Sequence, residues 1–299
     1  MSDMAVHRRV VLVLATLVVA VGAGFGVLAL RAPDKAPALP AQTFPDLLMH
    51  VHGLDVNPAD GALYAATHAG VFRLPAGPAG QAVRVADRWQ DTMAFTVVGD
   101  DEFLASGHPD LREDKPDVLG LIGSRDAGQT WEPLSREGSS DFHALEPAGE
   151  VLFGYDSTSE QLLVTEDRRS WQPRAAVALS ALAADPTDAG VLLAVGIEGR
   201  LLRSDDGGRT FTPVPGAPSL TLLTWAPAGP VFGADAGGTV LVSSDDGGTW
   251  QTRGTLDGPA QAITAETSTI LHAATGTGIY RSTDGGAEFE TRYQAELDG

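Results

Sequence analysis

Short apolar segments alternate along most of the chain with turns that are rich in glycine and aspartate. Residues 63–67, 70–74 and 83–87 form one such series, and residues 199–203 and 278–281 are similar segments further along. Apolar runs of four to eight residues bounded by turn residues are typical of buried β-strands, whereas helices need longer runs with a 3.6-residue period. The pattern therefore predicts an all-β protein built from short antiparallel strands.

One turn sequence recurs five times at a nearly constant spacing. Residues 124–131 (SRDAGQTW), 204–211 (SDDGGRTF) and 243–250 (SSDDGGTW) are full copies, and residues 165–171 (TEDRRSW) and 282–289 (STDGGAEF) are weaker ones. The copies begin 41, 39, 39 and 39 residues apart. A period near 40 with strand-like segments and glycine-rich turns is the signature of the blades of a β-propeller.

The residue types of this motif suit a hairpin turn. Aspartate can accept hydrogen bonds from successive turn amides, glycine tolerates the positive φ of a tight turn, and the terminal aromatic ring can cover the turn. The motif resembles the Asp-box, the Ser-x-Asp-x-Gly-x-Thr-Trp/Phe turn of sialidases, sortilin-like receptors and related propellers. This resemblance implies a structural role for the turns and carries almost no information about catalysis.

The wider resemblance is to bacterial Asp-box proteins of the BNR-repeat, glycosyl hydrolase-like group. The segments 50–54 (HVHGL), 106–110 (SGHPD) and 141–145 (DFHAL) are similar to recurring stretches of that group, and the similarity covers nearly all of the predicted propeller. Because the group is named for a shared fold more than for shown chemistry, the resemblance implies the fold and leaves the activity open. Propellers that assist photosystem assembly as binding scaffolds are a related comparison, but their arginine-rich central face is not evident in this sequence.

The repeat predicts a six-bladed β-propeller over residues 44–299, with four strands in each blade. The first blade lacks the motif, and Leu74 takes the place of its serine, 50 residues before Ser124. The second blade carries an extra stretch of 11 residues, 108–118, and removing it returns a spacing of 39. Each blade is expected to come from one continuous segment, which leaves open how the first and last blades join.

An uncharged run of 21 residues, 10–30, precedes the predicted propeller and follows Arg8 and Arg9. At about 1.5 Å per residue this run would span about 30 Å as a helix, which is enough to cross a bilayer. We expect a signal anchor in residues 1–31, a Pro/Ala-rich linker in residues 32–43, and a propeller on the extracytoplasmic side of the cell membrane. The alternatives are a cleaved signal peptide, which would make the protein secreted, and a buried core helix.

Composition and charge exclude several classes of function. The 299-residue chain has 39 acidic and 20 basic side chains, a net charge of −19, and no cysteine. Nucleic-acid binding is not expected, because proteins that bind it present basic patches that displace counterions. The absence of cysteine excludes a disulfide scaffold, a zinc ribbon, an iron–sulfur site and a thiol nucleophile.

Residues 72–75 (FRLP) look like the Phe/Tyr-Arg-Ile-Pro signature of sialidases, whose arginine binds the sugar carboxylate. The register argues against that role, because Arg73 aligns with Arg203 and Arg281, which directly precede the Asp-box turns. In the sialidase pattern the arginine lies at the opposite face. We therefore expect Arg73 to be an exposed strand residue and the protein not to be a true sialidase.

Side chains that suit metal binding collect at one predicted rim of the first three blades. Propellers bind ligands over the innermost strands, here at the rim opposite to the Asp-box turns. Imidazoles that converge with carboxylates are what a divalent transition metal such as Zn²⁺, Cu²⁺, Mn²⁺ or Fe²⁺ requires. The alternatives are a hydrogen-bonded polar plug in the channel mouth and unrelated scatter. The candidate ligands are His50, His52, His68, His108 and His143, with Asp141.

Carboxylates on the same rim permit a second function. A glycoside hydrolase needs an acid paired with a base or a nucleophile at a defined separation. The candidates are Asp110, Asp141, Asp156 and Glu198. The acidic loop 110–117 is interpreted either as a lid or as a solvated insertion. The sequence thus predicts a membrane-tethered propeller that binds a metal ion or a small polar ligand, such as a glycan, with a glycoside hydrolase and a protein-interaction scaffold as alternatives.

Overall fold

The computed structural model describes residues 50–77 and 79–294. The regular secondary structure of these residues consists entirely of β-strands. The described residues include no helix that is long and apolar enough to span a membrane. The expected signal anchor and linker lie outside the described residues.

Six four-stranded sheets form the blades of a β-propeller, and each blade uses four consecutive strands. Blade one contains β1 (Val51–Val56), β2 (Leu63–Thr67), β3 (Gly70–Leu74) and β4 (Val83–Arg84). Blade two contains β5 (Asp91–Gly99), β6 (Glu102–His108), β7 (Leu121–Ser124) and β8 (Glu132–Ser135). Blade three contains β9 (Phe142–Ala148), β10 (Val151–Asp156), β11 (Gln161–Thr165) and β12 (Gln172–Ala176).

The remaining three blades repeat this order, and neighbouring strands pair antiparallel throughout. Blade four contains β13 (Leu179–Ala184), β14 (Leu192–Gly196), β15 (Leu201–Ser204) and β16 (Thr212–Pro213). Blade five contains β17 (Leu222–Trp225), β18 (Val231–Ala234), β19 (Thr239–Ser243) and β20 (Gln251–Thr255). Blade six contains β21 (Ala260–Ala265), β22 (Leu271–Thr275), β23 (Gly278–Ser282) and β24 (Glu290–Gln294). The prediction of six four-stranded blades is confirmed.

The ring closes without exchanging a strand between the first and last blades. The innermost strands contact one another in order around the ring, and β21 contacts β1. At this seam the Val51 amide donates to Gln261 Oε1 at 3.1 Å, and Arg292 Nη2 donates to the Pro75 carbonyl at 2.8 Å. The Gly80 amide donates back to the Arg292 carbonyl at 3.2 Å. Hydrogen bonds across this seam therefore join the two blades whose connection the sequence left open.

Apolar side chains pack between neighbouring blades. Tyr64 of blade one lies edge-on against Phe103 of blade two, with ring centroids 4.7 Å apart, and Phe95 contacts Phe103 at 5.4 Å. All residues of β2 and β22 are buried, because these strands have a blade on either side. The strands with near-continuous apolar residues in the sequence are therefore those that form the interfaces between blades.

The repeated turn sequence joins the third and fourth strands in blades two to six. In the 204–211 turn, Asp206 Oδ1 accepts hydrogen bonds from the Ser204 hydroxyl and from the Arg209 and Thr210 amides, each at 2.9 Å. The Ser204 hydroxyl in turn accepts from the amide of Gly208, whose φ is 76°. Equivalent bonds occur around the aspartates of the other full copies. The turns stabilise the blades and lie away from the channel mouth described below.

Replacing Asp206 with alanine should lower the unfolding temperature, because the amides of the turn lose their acceptor. The hydrogen bonds from Thr210 hold the pKa of Asp206 down, from 3.8 to about 2. Its contribution to stability is therefore present above pH 3.8 and is lost as the pH falls through about 2. Calorimetry on Asp205→Ala provides the control, since Asp205 is exposed and bonds only to Arg203 among the described contacts. Equal unfolding temperatures for the two variants would contradict the structural role of Asp206.

Candidate metal centre at the channel mouth

The six innermost strands surround a channel of about 340 Å³, and a second cavity of about 360 Å³ lies at its mouth. The strands β1, β5, β9, β13, β17 and β21 all contribute residues to the channel wall. The mouth is formed where these strands begin, on the side of the propeller opposite to the repeated turns.

A β-bulge at the start of the innermost strand sets which side chains face the mouth. Val51 pairs with Thr67 and Gly53 with Ala66, which leaves His52 as an extra residue. The pairing of four other innermost strands is interrupted in the same way. Bulges redirect a side chain, and they are frequent next to binding sites. The extra residues, which we call the mouth ring, all line the mouth cavity: His52, Met93, His143, Ser180 and Gln261.

His52, His68 and Asp91 bring their ligand atoms within 4.8 Å of one another, the one such group of three among the described residues. The Nε2 atoms of His52 and His68 are 3.2 Å apart, and His68 Nδ1 donates to Asp91 Oδ1 at 2.8 Å. His50 stacks on His68 with ring centroids 5.1 Å apart. We call these four residues the three-histidine cluster.

The electrostatics of this cluster keep one ligand neutral. Burial lowers the pKa of His52 from 6.5 to about 4, His68 acts in the same direction, and the carboxylate of Asp91 opposes both. At neutral pH the His52 ring is therefore unprotonated, which is the state that binds a metal. Because the Nδ1 proton of His68 is directed at Asp91, its Nε2 atom keeps a free electron pair. A carboxylate that orients a metal-binding histidine in this way is common in metal sites.

The separation of the two imidazole nitrogens fits one metal ion. With metal–nitrogen bonds of about 2.0–2.1 Å, two nitrogens 3.2 Å apart subtend an angle of about 100° at the metal. This angle is close to tetrahedral, the geometry that zinc prefers. The cluster can thus supply two nitrogen ligands, with Asp91 as an orienting group or as a further ligand.

The other two predicted histidines form a separate group around Asp141. His143 Nε2 donates to Asp141 Oδ2 at 2.8 Å, and His108 Nε2 lies 3.8 Å from the same oxygen. His108 Nδ1 donates to the Asp117 carbonyl at 2.8 Å. The five histidines that were expected to converge are therefore divided into two groups. The mouth cavity connects them, because both His52 and His143 line it.

Three of the four candidate catalytic carboxylates take part in loop structure. Asp110 is buried, and its three hydrogen bonds with the guanidinium of Arg112 hold its pKa well below the usual range. Asp156 is buried and accepts from two serine hydroxyls and two backbone amides. Glu198 is exposed and lies 3.5 Å from Arg200. The fourth candidate is the aspartate that binds His143, so these four residues do not supply a pair of free carboxylates.

The acidic loop 110–117 is held in place by ion pairs. Glu113 accepts from Arg88 at 2.9 Å and lies 3.0 Å from Lys115, while Arg112 pairs with Asp87 at 3.1 Å. These contacts attach the loop to the segment that leads into β5. The solvated-insertion interpretation fits these bonds better than a lid does.

Sequence reasoning missed two carboxyl groups deeper in the channel, Asp55 and Glu146. Burial raises the pKa of Asp55 to about 6, and burial together with the charge of Asp55 raises the pKa of Glu146 to about 8. Each follows a mouth-ring histidine by three residues, in the aligned segments 50–55 (HVHGLD) and 141–146 (DFHALE). Residues three apart face opposite sides of a regular strand, but the bulge shifts this alternation by one. The alignment of the two segments was the signal that could have identified them.

Solved structures with quite different activities share this fold. A family 74 glycoside hydrolase, a xyloglucanase from Xanthomonas campestris, is 22% identical with a TM-score of 0.51 over 82% of this chain and 38% of that chain. YCF48 bound to D1 peptide is 17% identical, with a TM-score of 0.52 and coverages of 82% and 81%. A gluconolactonase from Xanthomonas campestris is 15% identical, with a TM-score of 0.62 and coverages of 77% and 84%.

At these identities the similarity establishes the propeller fold alone. This chain spans less than half of the length of the xyloglucanase. No family model and no curated protein matches the sequence.

Proposed function

We propose that this protein is an extracytoplasmic Asp-box propeller that binds a divalent transition-metal ion at its channel mouth, through His52 and His68. The five turns with a common sequence support membership of the Asp-box group. The apolar run 10–30 supports attachment to a membrane by an N-terminal anchor. The net charge of −19 favours cationic ligands over nucleic acid.

The observation that carries the metal proposal is the geometry of the two imidazoles. Their Nε2 atoms are 3.2 Å apart, and the free electron pair of His68 is oriented by its 2.8 Å hydrogen bond to Asp91. A polar plug would satisfy its hydrogen bonds within the protein. In the neutral state one proton between the two nitrogens can join them in a hydrogen bond, and a metal ion that replaces this proton would bind both imidazoles at once.

The test is the effect of zinc on the unfolding temperature of protein purified without a histidine tag. Zinc at about 100 times its dissociation constant should stabilise the wild type by about 2.7 kcal/mol by mass action. The double variant His52→Ala/His68→Ala should lose this shift. Because the pKa of His52 is about 4, this ligand should remain available to the metal at pH 6.

The matched control is His108→Ala, a rim histidine outside the three-histidine cluster. Zinc should stabilise His108→Ala as strongly as it stabilises the wild type. If instead the double variant keeps the shift, or His108→Ala loses it, the metal lies elsewhere on the rim. If no divalent ion shifts the wild-type unfolding temperature, the polar plug is the correct interpretation.

A glycoside hydrolase is the second candidate, and the carboxyl pair in the channel favours it. The raised pKa of Glu146 keeps its carboxyl group protonated at neutral pH, as a general acid requires, while Asp55 has the lower pKa of the pair. Hydrolysis of a glycan that survives chelation of metals and is lost in Glu146→Gln would favour this function over metal binding.

A further inference from the structure

Met93 occupies the mouth ring between two histidines. It is the bulged residue of β5 in blade two, and the corresponding residues of blades one and three are His52 and His143. All three line the same cavity of about 360 Å³. Met93 is the one methionine among the described residues, and it lies half-buried at this polar opening rather than in an apolar core.

The metal site proposed above needs more ligands than its two imidazoles. Asp91 already accepts the Nδ1 proton of His68, and His143 donates through Nε2 to Asp141. Met93 follows Asp91 by two residues on β5, and its bulge directs the side chain into the cavity that His52 lines. Met93 therefore offers a thioether as a further donor group at the cavity that His52 lines.

We propose that the site takes copper as Cu(I), with the thioether of Met93 as the third ligand beside His52 and His68. Thioether sulfur is a soft donor that selects Cu(I), whereas Zn²⁺ gains little from it. The chain has no cysteine, so methionine is its only source of a sulfur ligand. This inference rests on the metal site proposed above and identifies which metal that site prefers.

The experiment compares Cu(I) and Zn²⁺ binding to the full chain and to Met93→Leu. Cu(I) is presented with ascorbate under nitrogen, in competition with bathocuproine disulfonate. Met93→Leu keeps the size and apolar character of the side chain but removes the sulfur. We expect the variant to bind Cu(I) about tenfold more weakly or worse, while its Zn²⁺ affinity stays within about threefold of the wild type. Retained Zn²⁺ binding also shows that the variant is folded.

The control moves the sulfur to another blade. Leu222 lines the same cavity from blade five, so Leu222→Met on the Met93→Leu background restores one methionine to the mouth away from the histidines. This double variant should not recover Cu(I) affinity. X-ray absorption should show a copper–sulfur shell in the wild type and none in either variant.

Each outcome separates the two proposals. If Met93→Leu binds Cu(I) as tightly as the wild type, or the wild type shows no copper–sulfur shell, Met93 is only an apolar wall and this inference is wrong, while Zn²⁺ binding through His52 and His68 can still hold. If the wild type binds neither metal, the metal site itself fails and this inference fails with it.

Discussion

Phe103→Ala should lower the free energy of unfolding by about 3–5 kcal/mol, the range typical of removing a fully buried aromatic side chain. Phe103 is completely buried at the interface between blades one and two, where its ring contacts those of Tyr64 and Phe95. Because both neighbours belong to rigid strands, the structure can close the resulting cavity only in part. For a domain of this size the unfolding temperature should fall by about 6–20 °C.

Guanidinium titration followed by both fluorescence and circular dichroism measures this change and checks that the two probes give the same transition. Leu111→Ala is the control, because Leu111 is fully exposed in the acidic loop and its truncation should change stability by no more than about 0.5 kcal/mol. A loss below about 1 kcal/mol in Phe103→Ala would mean that this interface can repack, contrary to the close packing of the rings.

Glu146→Gln should raise the free energy of unfolding by about 2–4 kcal/mol at pH 8. The pKa of Glu146 is raised from 4.5 to about 8, chiefly by burial in the channel and also by Asp55. Between these two pH values the folded protein keeps a proton that the unfolded chain has released, so stability falls as the pH rises. Each pH unit contributes at most about 1.4 kcal/mol, and solvent in the channel reduces this limit. Glutamine has the same shape and does not ionise.

The useful range for this measurement is about pH 7 to 8. Asp55 also makes the protein less stable as the pH rises, in this case between pH 3.8 and about 6, because its pKa is raised as well. His52 acts oppositely, since its lowered pKa makes stability rise between pH 4 and 6.5. Above about pH 7 the contributions of both groups to the pH dependence are small, and the wild type should lose stability while Glu146→Gln should not. Parallel pH profiles for the two proteins would show that the Glu146 carboxyl is well solvated.

The repeat allowed most of the fold to be predicted from the sequence. β2 and β3 have the predicted bounds, Leu63–Thr67 and Gly70–Leu74. Turn residues on both sides of each short apolar run mark where the strand begins and ends. The five repeated turns join the third and fourth strands as expected, since the bonds of Asp206 and its counterparts are local in sequence. Closure of the ring depends on contacts between Val51, Gln261 and Arg292, which are far apart in the chain.

The candidate site could be predicted only in part. The alignment of His52 with His143 is confirmed in the sense that both are bulged residues of innermost strands and line one cavity. Their partners could not be predicted, because partner choice depends on how adjacent blades approach each other. Asp91, which comes from blade two, binds His68 of blade one, whereas Asp141 binds His143 two residues further along the same blade.

The sequence by itself determined the number of blades, the positions of the turns and the rim on which the histidines lie, because these follow from residues close together in the chain. Only the tertiary structure decided which side chains meet. The bulges reverse the alternation of the innermost strands, so that Met93, Asp55 and Glu146 face the mouth or the channel although strand periodicity does not single them out. The tertiary structure also decided that Asp110 and Asp156 stabilise loops. Asp110 accepts hydrogen bonds from the guanidinium of Arg112, and Asp156 accepts them from several nearby donors.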